Sequence, residues 1–97
     1  MLTGKQKRYL RSEAHHLNPI FQVGKGGVNE NLIKQINEAL EVRELIKVSI
    51  HDTCGEGKHE VAENLAEGAG AELVQLIGRT VVLYKESEEQ KKIELPR

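Results

Sequence analysis

The chain has 97 residues, 38 % hydrophobic and 30 % charged, with net charge −1, two Tyr, one Phe and no Trp. That length suits one domain with a modest core of Leu, Ile, Val and Ala, and so few rings exclude a platform on which bases stack. No apolar run approaches the roughly 20 residues of a membrane span, the start MLTGKQKRYLRSEAHH lacks the apolar stretch of a secretory signal, and the single Cys54 cannot close an internal disulfide. These features predict a soluble cytoplasmic domain with no membrane contact.

Thr3-x-x-Gln6 reads as a capping box that opens a first helix, and Pro19 requires that helix to end before it. On a helical wheel Leu2, Gln6, Leu10, Ala14 and Leu17 share one side. Lys7, Arg8, Arg11 and His15 share roughly the opposite side, with Lys5 beside them. A solvated helix face usually mixes charge signs to gain i,i+4 pairs. This face is nearly all positive, which points to a polyanion. The chain as a whole has the same asymmetry: residues 1–35 hold six Lys/Arg against two Glu, and residues 36–97 hold eight Lys/Arg against thirteen Asp/Glu. Such a split suits a basic binding face and an acidic, solubilising remainder.

Ile20–Val23 is a short apolar strand, followed by the turn Gly24-Lys25-Gly26-Gly27. Asn29 is placed to cap a second helix, whose stripe is Leu32, Ile33, Ile36, Ala39 and Leu40. Leu45–Ile50 alternates, with Ile46, Val48 and Ile50 on one face and Lys47 and Ser49 on the other, as in a strand covered on one side. After the loop HDTCGEGKH, a third helix runs from about Lys58 to Ala69, with Gly68 and Gly70 as stop signals. Leu73–Ile77 and Thr80–Lys85 form a hairpin turning at Gly78-Arg79. The charged tail ESEEQKKIELPR has no period and is expected to be frayed or partly helical. The order α-β-α-β-α-β-β implies one compact α/β domain, a mixed four-stranded sheet packed with helices.

Three readings of Gly24-Lys25-Gly26-Gly27 compete. A nucleotide P-loop needs GxxxxGK[ST], and a dinucleotide-binding turn needs GxGxxG. Neither occurs here, nor in the later GEGKH. The second reading is a GXXG loop like that of KH-type RNA binders, which clamps a sugar-phosphate backbone. The third is a tight turn with a solvated Lys25. Three glycines exceed what a turn needs, and the basic helix is an independent reason to expect phosphate. Together they favour the backbone clamp.

His51, Cys54 and His59 supply three possible zinc ligands in one loop, but nothing in the spacing recommends a fourth. Neither an orienting acid nor an oxyanion hole can be assigned to Cys54 as a nucleophile. No metal, cofactor or enzymatic activity is expected.

The segments LTGKQKRYLRSEAHHLNPIFQVGKGGVNENLIKQI, LIKVSI and LVQLIGRTVVLYK closely resemble the CRM domain (chloroplast RNA splicing and ribosome maturation) over about residues 1–86, leaving 87–97 as a charged tail. The resemblance implies a fold similar to the C-terminal domain of translation initiation factor three, with a KH-like GxxG loop. It implies RNA binding through Gly24, Lys25, Gly26, Gly27 and the helix cations Lys7, Arg8 and Arg11, with roles for Lys34, Lys47 and Arg79 unassigned. For a stand-alone bacterial copy it implies association with rRNA in precursors of the large ribosomal subunit, with ribosomal proteins as possible neighbours; separately from the resemblance, a monomer is expected. The alternatives are a module for small RNA or intron RNA, and a protein-interaction adaptor.

Overall fold

The first helix opens as its motif requires: the Thr3 hydroxyl accepts the Gln6 N–H at 3.1 Å, and the Gln6 side-chain carbonyl accepts the Thr3 N–H at 3.0 Å. In the computed structural model, which describes residues 2–97, the chain runs α1 (Gly4–Ala14), β1 (Phe21–Val23), α2 (Glu30–Arg43), β2 (Leu45–Ile50), α3 (Lys58–Ala69), β3 (Glu72–Ile77) and β4 (Thr80–Tyr84). α1 ends well short of Pro19. The His15 and Leu17 N–H groups close tight turns onto the Ser12 and Ala14 carbonyls, and the Ile20 N–H already donates to Lys47 O at 3.0 Å. The chain therefore leaves the helix early to reach the sheet.

The sheet order is β1-β2-β4-β3, with β1 parallel to β2 and the other pairs antiparallel. α2 and α3 cover one face, where Ile36, Leu40, Val61 and Leu65 pack against Ile46, Val48, Val81 and Leu83. α1 covers part of the other face, where Leu10 and Ala14 meet Leu45, Val74, Val82 and Tyr84. Full burial of a side chain such as Leu10 is worth about 1.5–3 kcal/mol. β2 is thus not covered on one side only: Leu45 is buried under α1, and only Lys47 and Ser49 of that face stay half-exposed.

The two stop-signal glycines have different roles. Gly70 adopts φ 64 at the end of α3, the left-handed cap that favours glycine. Gly68 lies inside α3, and a Cβ there would stand 2.8 Å from Ile33 Cδ1 of α2, so its small size sets the helix spacing.

The tail is neither helical nor loose. Glu44, fully buried, ends α2 at φ 64 without a glycine. Its carboxylate accepts the N–H groups of Ser87 (2.7 Å), Lys92 (2.6 Å) and Ile93 (2.7 Å). Glu41, one turn earlier, accepts the Ser87 hydroxyl and the Glu88 and Glu89 N–H groups. Ile93 and Leu95 pack on the cluster under α1, and Gln6 donates to the Pro96 carbonyl. Isolated from these carboxylates the segment has no periodic pattern of its own, so it holds its path through tertiary hydrogen bonds.

Candidate nucleic-acid interface

β1 delivers the Gly24–Gly27 turn at the carboxyl end of an edge strand, and α2 starts three residues later. The turn is closed by Gly27 N–H donating to Gly24 O at 3.0 Å. Among the described residues, the N–H groups of Lys25 and Gly26 donate to no protein acceptor. Gly27 is the one position of the turn with a conformational need for glycine: it sits at φ 67, and an added Cβ would run into the Glu56 carboxylate. Gly24 and Gly26 have no positive φ, and a Cβ on either would meet nothing within 4 Å. The fold does not require them bare. A ligand that approaches the backbone would.

The same end of the sheet gathers the hairpin tip and the long loop. The Ile50 N–H donates to Arg79 O at 2.7 Å, the His51 N–H to Val23 O at 2.8 Å, and the Arg79 guanidinium reaches the His51 carbonyl at 3.4 Å. Arg79 therefore stands beside the strand end from which the glycine turn departs. The Asn29 side chain caps α2 by accepting the Leu32 N–H at 2.9 Å, and the N-terminal end of the α2 dipole adds partial positive charge next to the turn.

The helix cations are split. Arg11 lies where α1 ends and lines a groove with His15 and Lys47 of β2. Lys7, one turn earlier on the same flank, is half-buried, while Arg8 is exposed and its guanidinium folds back toward Gly4. Among the described residues no hydrogen bond or ion pair ties the glycine turn to α1, so the two lie on one protein without direct contact. Lys34 is exposed on α2 and lines the α2–α3 groove with Glu30 and Glu38. Among the described residues, Lys7, Arg8, Arg11, Lys25 and Lys47 form no ion pair with a carboxylate. Three exposed carboxylates, Glu60, Glu63 and Glu67, lie on α3, across the sheet from α1, while the Glu56 carboxylate stands against Gly27 of the turn.

The loop of His51, Cys54 and His59 divides. Cys54 is buried in the core beside Val23 and Val61, and its N–H closes a turn onto the His51 carbonyl. His51 Nδ1 is engaged by Thr53 and lies 3.0 Å from Asp52 Oδ1. His59 is exposed on α3. Cys54 therefore packs as a small side chain of the core.

Lys47 and Arg79, left unassigned by the residue pattern, gain a place from topology alone. Alternation puts Lys47 on the α1 face of β2, and strand pairing brings the hairpin tip beside β1. Glu44 and Glu56 carry no signal in the sequence. The nearest clue is the absence of any glycine between Leu40 and Leu45, where a helix has to stop.

The chain is 71 % identical over 96 residues to the "Probable RNA-binding protein YqeI" of Bacillus subtilis, covering 99 % of this chain and all of that one. It is 42 % identical to an RNA-binding protein of Haemophilus influenzae over 99 % of this chain and 96 % of the relative. The solution structure of the hypothetical protein SAV1595 from Staphylococcus aureus superposes with a TM-score of 0.82 at 61 % identity, over 99 % and 100 % of the two chains. The domain model described as CRS1 / YhbY (CRM) matches residues 2–85, a span that takes in α1, the glycine turn and the whole sheet. With that match over nearly its full length, the chain belongs to the CRS1 / YhbY (CRM) domain family.

Proposed function

We propose that this protein is a cytoplasmic, monomeric RNA-binding protein without catalytic activity, which associates with rRNA in precursors of the large ribosomal subunit and assists their assembly. The observation that carries this reading is the turn itself. Gly24 and Gly26 are bare where the fold has no use for it, the Lys25 and Gly26 amides are unengaged, and Lys25 adds a charge at the tip. A phosphodiester backbone satisfies all three features, since phosphate accepts backbone N–H bonds and draws in lysine. Lys7, Arg8 and Arg11 extend the track along α1. The RNA-binding unit is residues 1–86, and residues 87–97 serve as a structural strap. Relatives named as RNA-binding proteins support the RNA partner. Contacts of this kind position the protein without reading bases, so RNA shape and adjacent ribosomal proteins select the site.

The test is a sucrose-gradient fractionation of a cell lysate at low and at high salt, blotted for this protein. Co-migration with free or immature large subunits at low salt, lost at high salt, is the expected result. Recovery only at the top of both gradients sinks the ribosomal assignment.

A further inference from the structure

The sheet face under α1 is apolar over only part of its length. Leu10 and Ala14 cover Leu45, Val74, Val82 and Tyr84, and there α1 stops. Beyond it Lys47, Gln75, Ile77 and Thr80 line a groove of about 230 Å³ with Arg11 and His15 on its helix side. Ile77 is 61 % exposed, an apolar side chain left in water.

Gln75 faces this groove because β3 carries a bulge. Leu73 pairs with Leu83 and Gln75 with Val82, so Val74 is the extra residue and both Val74 and Gln75 stand opposite Val82. Plain alternation from Leu73, which packs with the α2–α3 core, would turn Gln75 into that same core. Val74 lies under α1 as alternation requires, and the bulge turns the Gln75 amide to that same face, into the groove. Bulges are found beside binding sites because they redirect a side chain in this way.

Size and charge narrow the occupant. Whole small-molecule sites run to about 300–1,000 Å³, so a groove of about 230 Å³ suits one unit of a longer ligand. Arg11 and Lys47 have no carboxylate partner among the described residues, which calls for an anionic chain. Gln75 and Thr80 can each donate and accept hydrogen bonds. The groove also adjoins the proposed backbone grip: Thr80 follows Arg79, whose guanidinium touches the His51 carbonyl at the end of the sheet where the glycine turn begins.

Resting on the RNA-binding reading above, we infer that this groove seats one unstacked nucleotide of single-stranded RNA. Arg11 and Lys47 hold its phosphate, Ile77 packs against the base, and Gln75 and Thr80 read the base edge or the 2′-hydroxyl. The seat supplies a preference for single strands and for base identity that a backbone grip lacks.

Fluorescence anisotropy on the full chain, with labelled oligo-A, oligo-C, oligo-U and a blunt RNA duplex, tests this against Gln75→Ala and Ile77→Ala. Wild type is expected to rank the three single strands, with about tenfold between best and worst, as one base read by hydrogen bonds allows. Gln75→Ala should level that ranking with no change in salt slope. Ile77→Ala should weaken single-strand binding several-fold to about tenfold, as loss of one aliphatic side chain's buried apolar contact does, and leave the duplex unaffected. Both variants keeping wild-type ranking and affinity, with native circular dichroism, overturns the seat. So does an equal loss on single strands and duplex, the mark of a backbone contact only. A wild-type protein that binds none of the four RNAs overturns the RNA-binding reading, and the seat with it.

Discussion

The Glu44 carboxylate, at the end of α2, accepts the backbone N–H of Ser87 at 2.7 Å across 43 residues of sequence. The Lys92 and Ile93 N–H groups share its other oxygen, so one fully buried side chain fixes a segment of tail that then lies across the cluster under α1. Glu44→Ala leaves three N–H donors without their acceptor: that of Ser87 is buried and costs about 1–3 kcal/mol when unsatisfied, while those of Lys92 and Ile93 are part-buried and can turn to water. A loss of about 1–3 kcal/mol is expected, read as a fall in melting temperature of about 5–20 °C for a domain of this size. Glu44→Gly loses the same acceptor but removes left-handed strain worth roughly 1–2 kcal/mol, and should be less damaging. A melting temperature unchanged in Glu44→Ala would show that the strap adds no stability.

The same carboxylates make the protein acid-sensitive. Burial raises the Glu44 pKa, but the N–H bonds from Ser87, Ile93 and Lys92 outweigh it and hold it below the ordinary value of 4.5. Glu41 is also lowered, first by the Ser87 hydroxyl and then by the Glu88 and Glu89 N–H groups. A carboxyl with a depressed folded-state pKa contributes stability that is fully present above the unfolded value and is lost as pH falls through the folded one. Melting temperature should therefore hold down to about pH 4.5 and decline below it, with the amides of residues 87–93 the first to exchange. The double variant Glu41→Gln, Glu44→Gln should flatten that acid limb. An acid limb as steep as the wild type's would assign it to other carboxylates.

The glycines of the turn separate fold from function. Gly24→Ala and Gly26→Ala add a Cβ in open space at ordinary φ, so thermal stability should stay within about 0.5 kcal/mol. RNA affinity should fall in both. Gly27→Ala sits at φ 67 against Glu56 and should cost about 1–2 kcal/mol. If Gly24→Ala and Gly26→Ala both bind RNA as wild type does, the bare turn has no ligand role.

Lys25→Glu is expected to weaken RNA binding at low salt with circular dichroism unchanged. Lys25→Gln should reduce the slope of log affinity against log salt by about 0.7, one single-strand phosphate contact. An unaltered dissociation constant in Lys25→Glu removes the loop from the interface.

Glu56 places a carboxylate against Gly27, where a phosphate is proposed to sit. Like charges repel, and the effect is screened by salt. Glu56→Gln should tighten RNA binding severalfold at 50 mM salt and make little difference at 300 mM, concentrations at which the Debye length is on the order of 14 and 6 Å. Weaker binding in Glu56→Gln would instead make this carboxylate a support of the loop.

Much of this protein is legible from its residues because the signals are local. The Thr3–Gln6 box, the Asn29 cap, the stripe of α2, the alternation of β2 and the hairpin at Gly78 each depend on neighbours a few positions away. Those local choices also placed the glycine turn at a strand-to-helix junction. The tertiary structure decided what depends on distant partners. It ended α1 at Ala14, buried both faces of β2 at Leu45, and turned Gly68 from a stop signal into the contact surface for Ile33. It strapped an aperiodic tail to Glu41 and Glu44, and it brought Lys47, Gln75 and Thr80 around Arg11. A carboxylate that satisfies backbone donors more than 40 residues away leaves no periodicity in the sequence. A bulge that redirects Gln75 is visible only once its partner strand is in register. Helix and strand propensities act within a few residues, whereas hydrogen bonds to a tail and grooves between layers exist only after the layers have packed.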